Sequence, residues 1–170
     1  MNLKKLKLLI FAIFLSAFLQ NSAISAEREI NCISLAIYKE ARGESLKGQE
    51  AVAQVIMNRT KHEAFPNTPC KVVLAPQQFS WTNGGLDNAS RSLLKGSTRH
   101  LNKQELSSYQ QARQVALRAF YGLWEYNAKI QQSLYFVHKS IQPSWTKNLK
   151  KDATIGNHRF YSERSNERKN

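Results

Sequence analysis

Residues 32–59 read Cys-Ile-Ser-Leu-Ala-Ile-Tyr-Lys-Glu-Ala-Arg-Gly-Glu-Ser-Leu-Lys-Gly-Gln-Glu-Ala-Val-Ala-Gln-Val-Ile-Met-Asn-Arg. Apolar residues recur at helical spacing on both sides of the Gly43–Ser45 break, which predicts two successive helices. The first is expected over about Cys32–Arg42, with Asn31 as N-cap and Gly43 as C-cap glycine. The second runs from about Gly48 to Arg59, with Val52, Val55 and Ile56 on its inner face. Glu40 is the unusual residue of the pair. It follows Ile37 by three positions, Ala36 by four and Ile33 by seven, so its carboxyl shares their face. Burial and the negative end of the helix dipole both favour the protonated form of such a group. Arg42 would oppose this if it paired with Glu40. A carboxylic acid kept neutral near pH 7 suits a general acid, and a core Glu bonded to an arginine for structure fits the periodicity equally well.

Downstream, Phe65-Pro66-Asn67 marks a turn, and Val72–Leu74 is a short apolar stretch ended by Pro76. Phe79–Asn88 reads as loop, with Asn83-Gly84-Gly85 its sharpest turn. A long helix is expected from Asn102 or Ser107 to about Leu123, with Leu106, Tyr109, Ala112, Ala116, Ala119, Phe120 and Leu123 as its stripe. Ser133–His138 and Asn157–Tyr161 read as strands, with His158 and Phe160 on one face. Ser162–Asn170 is polar and lacks apolar anchors. The sum is one α+β domain, mostly helical, with a small β element.

Upstream, Lys4, Lys5 and Lys7 precede the apolar run Leu8–Leu19 and the small, polar run Gln20–Ala26. This is the order of a secretory signal, with cleavage expected after Ala26 and Ala23 as a rival. An uncleaved membrane anchor is the alternative, although the apolar run is short of the ~20 residues that span a bilayer. The expected organisation is a signal at 1–26, a catalytic domain at 27–161 and a polar tail at 162–170. After cleavage no integral membrane segment is expected. The protein is read as exported, to a periplasm, the cell envelope or the medium. Disulfides persist there, so Cys32 and Cys70, the chain's 2 cysteines, are expected to pair.

The net charge is +13 over 170 residues, from 25 basic and 12 acidic side chains. The bases are scattered rather than grouped on one helix, which argues against a nucleic-acid partner, and export argues further. Polyanionic envelope material fits better. His62, His100, His138 and His158 are widely spaced, so no metal site and no cofactor is expected. Ser and Cys nucleophile motifs have no local support. Among the few carboxylates, Glu40, Glu44 and Asp87 stand apart from termini, turns and polar helix faces; Asp152 falls in a Lys-rich loop. Trp81, Trp145 and the tyrosines offer flat faces that stack on sugar rings. Gln77, Gln78, Ser80, Thr82 and Asn83 surround Trp81 with uncharged hydrogen-bonding groups, the mixture found in a carbohydrate groove.

The motifs Glu40-Ala41-Arg42-Gly43-Glu44, Gly48-Gln49, Ala51-Val52-Ala53 and Asn58-Arg59, in that order, resemble the cell wall hydrolase family that includes the spore-cortex-lytic enzyme SleB. Phe65-Pro66-Asn67-Thr68, Gln78-Phe79-Ser80-Trp81, Leu134-Tyr135-Phe136, Pro143-Ser144-Trp145 and Ile155–Tyr161 extend the resemblance over about Cys32–Tyr161. The resemblance implies a lysozyme-like or lytic-transglycosylase-like domain that cleaves peptidoglycan glycan strands. It implies Glu40 as the catalytic residue. Arg42, Glu44, Asn58, Ser80, Trp81, Tyr135 and His158 are expected around the groove, as substrate-binding or supporting groups, with a structural role in the motif as the other reading of Glu44. For Asn58 and Arg59 a packing role is equally expected. A lytic transglycosylase needs one acid, and the scarcity of partner carboxylates favours that over a two-carboxylate muramidase. Asp87 is the first candidate partner and Glu44 the second. A non-catalytic envelope-binding protein and a zinc-dependent envelope peptidase or amidase are the other classes. A regulatory envelope partner is not specified by the sequence.

Overall fold

The computed structural model describes residues 3–164; Met1, Asn2 and residues 165–170 of the expected tail lie outside the described residues. Five α-helices precede a small sheet: α1 (Leu3–Ala41), α2 (Leu46–Arg59), α3 (Pro69–Leu74), α4 (Asn88–Leu94) and α5 (Lys103–Phe120). The strands are β1 (Tyr135–His138), β2 (Leu149–Ile155) and β3 (His158–Glu163). The fold class is as expected, α+β and mostly helical.

Helix α1 is the axis of the domain. Every residue from Ile30 to Tyr38 is buried, which marks a helix packed on all sides rather than on one stripe. Helices α2, α3, α4 and α5 all contact it. From α5 come Tyr109, Ala112, Val115, Ala116 and Ala119; from α2, Val52, Ala53 and Ile56; from α3, Val72 and Val73. The Cys32–Cys70 disulfide joins α1 to α3.

The start of α1 corrects the expected N-cap. The helix runs unbroken through Ala26, so Asn31 lies in its interior. Asn31 instead donates to the Leu94 carbonyl and accepts from Arg113. Nor does Gly43 end the helix as a left-handed C-cap: its φ is not positive, and α1 stops at Ala41, before it. Among the described residues no helix is long and apolar enough to cross a membrane.

Helices α2 and α5 are set by local capping. The Ser45 hydroxyl caps α2. Asn102 and Glu105 form a reciprocal capping box that starts α5. Helix α5 stops at Phe120, and Leu123, expected on its stripe, is 68% exposed in the loop beyond.

The sheet is antiparallel, in the order β1-β3-β2. Its inner face packs on α2 through Phe160, Ile130, Ala51 and Val55. Strand β3 continues to Glu163 and buries Ser162, two residues past the expected domain end. Strand β2 overturns the loop expected around Asp152. Its lysines mark an exposed edge strand, where charge blocks pairing with another chain. A register irregularity between Lys151 and Ala153 sets Asp152 apart from the ladder. The Asp152 carboxylate accepts from the hydroxyls of Ser133 and Ser162.

Candidate active site

Glu40 occupies the last turn of α1, where the packed helix emerges from the core and becomes half-buried. Its Oε1 accepts a 2.8 Å hydrogen bond from Nε1 of Trp81. Trp81 sits on a short 3-10 turn, Ser80–Thr82, and its ring stacks on buried Phe79 at 5.5 Å. Burial raises the Glu40 pKa above the ordinary carboxyl value; the Trp81 hydrogen bond and the Arg59 charge pull part of the way back. The charge acting on Glu40 is therefore Arg59 from α2. Arg42 instead lies over the Tyr38 ring at 5.5 Å.

Arg59 is buried, at 5% exposure. It follows Ile56 by three positions, Val55 by four and Val52 by seven, so it shares the core face of α2. That periodicity was a legible signal for a special arginine. Its Nε donates to the Leu134 carbonyl at 2.7 Å. The guanidinium lies over the Phe65 ring at 5.3 Å and the Phe79 ring at 5.6 Å. Burial lowers its pKa to about 10, against the attraction of Tyr135 and Glu40, and it remains charged at neutral pH.

Arg59 opens onto a cavity of about 420 Å³ lined also by Gln77, Gln78, Tyr135 and Trp145. The Tyr135 and Trp145 rings are 6.1 Å apart. Gln77 has φ 61°, a left-handed conformation uncommon for a residue with a side chain. Such strain clusters at functional sites. A larger cavity of about 500 Å³, lined by Glu27, Asn31, Tyr109 and Arg113, involves the opposite end of the described α1 core, far along the helix from Glu40. Its charged groups are paired with each other, Arg113 with Glu27 at 2.8 Å.

The other expected site residues fall into four places. Ser80 is exposed beside Trp81 on the same turn. Arg42 lines a different cavity with Asn102, Glu105 and Ser108. Asn58 is buried, and its amide donates to the carbonyls of Ile130 and Ser133 at 3.0 and 2.9 Å, which fixes the chain leading into β1. Glu44 and His158 form a separate buried pair. Both Glu44 oxygens accept from Asn157, one from the backbone N–H at 3.0 Å and one from the side-chain amide at 2.9 Å. His158 Nδ1 lies 4.0 Å from Glu44 Oε1. Burial pushes the Glu44 carboxyl up, but the two Asn157 hydrogen bonds, aided by His158 and His138, bring it below the ordinary value. Burial also holds His158 below the usual imidazole range, against the pull of Glu44.

Asp87, the first candidate partner, is the N-cap of α4. It accepts from the Ser90 N–H at 2.6 Å and pairs with Lys39 at 3.2 Å. These hydrogen bonds lower its pKa to about 2.

Known proteins resemble this arrangement. A family model described as Cell Wall Hydrolase matches residues 43–161, beginning three residues after Glu40. Spore cortex-lytic enzymes of Bacillus cereus and Bacillus subtilis are 42% and 40% identical over 55 residues, 32% of this chain. Those matches span 21% and 18% of the enzymes' own lengths. The catalytic domain of Bacillus cereus SleB superposes with a TM-score of 0.55 and 27% identity, over 79% of this chain and 90% of that one. The catalytic domain of the germination-specific lytic transglycosylase SleB from Bacillus anthracis gives 0.56 and 26%, over 79% and 94%. The fold is thus that of the lysozyme-like SleB catalytic domains. Since the matched segment 43–161 makes up most of the sequence, the chain belongs to the cell wall hydrolase family.

Proposed function

We propose that the protein is an exported enzyme that cleaves peptidoglycan glycan strands, and that it does so as a lytic transglycosylase with Glu40 as its one acid and base. The carrying observation is the contrast among three carboxylates. Glu40 is half-buried and shifted toward the neutral acid. Glu44 has both oxygens engaged by Asn157, and Asp87 is committed to a helix cap and a lysine. One proton donor beside two carboxylates already committed elsewhere suits a reaction in which the substrate supplies its own nucleophile.

In that reaction Glu40 gives its proton to the glycosidic oxygen between N-acetylmuramic acid and N-acetylglucosamine as that bond breaks. The resulting carboxylate then takes the proton of the muramic C6 hydroxyl, whose oxygen bonds to C1. The product is a 1,6-anhydro end, and Glu40 is again protonated. Export rests on the signal-like order of Met1–Ala26, and the Cys32–Cys70 disulfide supports an oxidising compartment.

Mass spectrometry of fragments released from purified sacculi tests the reaction. Anhydromuramic ends are expected. Reducing muramic ends would make the protein a hydrolase with a second acid, and cleavage of stem peptides alone would overturn the glycosidase reading. Binding to sacculi without any release would identify a non-catalytic protein.

A further inference from the structure

Arg59 presents a charge that the fold does not complete. Its guanidinium lies over the rings of Phe65 and Phe79, and its Nε is held by the Leu134 carbonyl. Nη1 is sealed from solvent without a hydrogen-bond partner, and among the described residues Nη2 has none either. No carboxylate forms an ion pair with it among the described residues. A desolvated guanidinium without an acceptor is costly, and a planar fork with unpartnered nitrogens matches a carboxylate. The acidic groups whose charge it feels are the Tyr135 phenol and the Glu40 carboxyl; the phenol is neutral near pH 7, and Glu40 in the proposed reaction starts as the neutral acid. An anion from outside is the missing partner. The cavity onto which Arg59 opens has the rings of Tyr135 and Trp145 for a sugar face and the amides of Gln77 and Gln78 for its polar groups.

We propose that this cavity is a subsite for a muramyl unit bearing a free 3-O-lactyl carboxylate, which seats on Arg59. The inference rests on the glycosidase reading and adds a substrate preference to it. The lactyl group is a carboxylate only where the stem peptide has been removed; with the stem attached it is a neutral amide. Stem-free strands are therefore the preferred substrate.

A matched pair of substrates tests this with the intact protein. Glycan strands stripped of stems by an amidase carry the carboxylate, and carbodiimide coupling to methylamine gives a neutral twin of the same length. The carboxylate strands are expected to be cut with kcat/KM at least about tenfold higher, as a charge-assisted hydrogen bond implies. In Arg59→Gln the ratio falls to near one, whereas Arg59→Lys retains part of it. Should Arg59→Gln fail to fold, salt decides with the wild type. The preference of a buried pair persists at about 0.5 M salt, while a general attraction to this basic protein is screened away. Equal rates on the two substrates, a preference for the neutral strand, or a preference abolished by salt would overturn the subsite and leave the glycosidase standing. Cleavage of neither strand would overturn both.

Discussion

Trp81 Nε1 donates to Glu40 Oε1 at 2.8 Å, and this one bond opposes the burial that makes Glu40 an acid. A donor aimed at a carboxylate stabilises the charged form. Trp81 therefore trims the proton affinity of Glu40 rather than creating it. Trp81→Phe keeps the ring stacked on Phe79 and removes the donor. The alkaline limb of the kcat/KM profile, which reports the free enzyme's acid, is expected to move to higher pH. A limb that stays in place or moves down would separate Trp81 from the proton donor.

Glu40→Gln should lower release of soluble fragments by at least about a hundredfold, the scale of a lost general acid. Its effect on stability has a definite sign. The folded pKa of Glu40 lies above its ordinary 4.5, so its contribution is complete below that value and is lost as pH rises through the folded one. Glutamine does not titrate. The variant should melt at or above the wild-type temperature near neutral pH, with the difference opening across that window. Melting curves from pH 4 to 8 measure it; a variant that is active or markedly less stable at neutral pH contradicts the role.

Asp87→Asn separates one acid from two. The Asp87 side chain is 60% exposed and engaged with Ser90 and Lys39. The substitution should weaken the α4 cap by about 1 kcal/mol or less, and Asp87→Ala by about 1 kcal/mol. Turnover should stay within about threefold, the range of an indirect effect rather than of a lost acid or base. The folded pKa, about 2, is below the ordinary 3.8. Its contribution is present above 3.8 and lost as pH falls toward 2, so the two proteins should converge in stability in acid. A loss of turnover comparable to that of Glu40→Gln would restore the two-carboxylate mechanism.

Gly156 tests the Glu44 cluster. Its φ is +60°, and a Cβ there would collide with Glu44 Oε2. Gly156→Ala must therefore displace the carboxylate that holds Asn157, and a cost of roughly 2–3 kcal/mol is expected from strain and the broken network. Glu44→Gln should lower the melting temperature while leaving measurable turnover. The Glu44 pKa is lowered by the fold, so the difference between Glu44→Gln and wild type should be present above pH 4.5 and shrink below it. A fully folded but inactive Glu44→Gln would place Glu44 in the chemistry.

What the sequence disclosed follows from how local each signal is. Helices α2 and α5 were legible because caps and apolar spacing lie within a few residues of each other, as in the Asn102–Glu105 box. Glu40 was legible as an odd acid on an apolar face, although α1 proved buried on every side, so the face itself was less informative than the helix end. Asn31 misled because its partners, Leu94 and Arg113, are 63 and 82 residues away. Strand β2 was hidden by the lysines that protect its edge. The cavity onto which Arg59 opens draws Arg59, Gln77, Tyr135 and Trp145 from four separated segments. Only packing brings them together, and no pattern within one segment marks them as a group.

The Cys32–Cys70 bond gives the last test. It ties the central helix to α3, across a sequence separation of 38. Closing a loop of that length removes denatured-state entropy worth about 4 kcal/mol on the chain-entropy model. Each cysteine is nearly fully buried, and the surrounding contacts remain when the bond is cut. The Cys32→Ala, Cys70→Ala double variant should therefore fold with a lower melting temperature and an unchanged alkaline limb of its pH–rate profile, because neither sulfur touches Glu40 or Trp81. Thermal melts with and without reductant measure the first part, and the wild type in reductant should match the double variant. A double variant as stable as the oxidised protein would show that the bond adds nothing to the fold, and a shifted pH limb would show that α3 helps to position the acid.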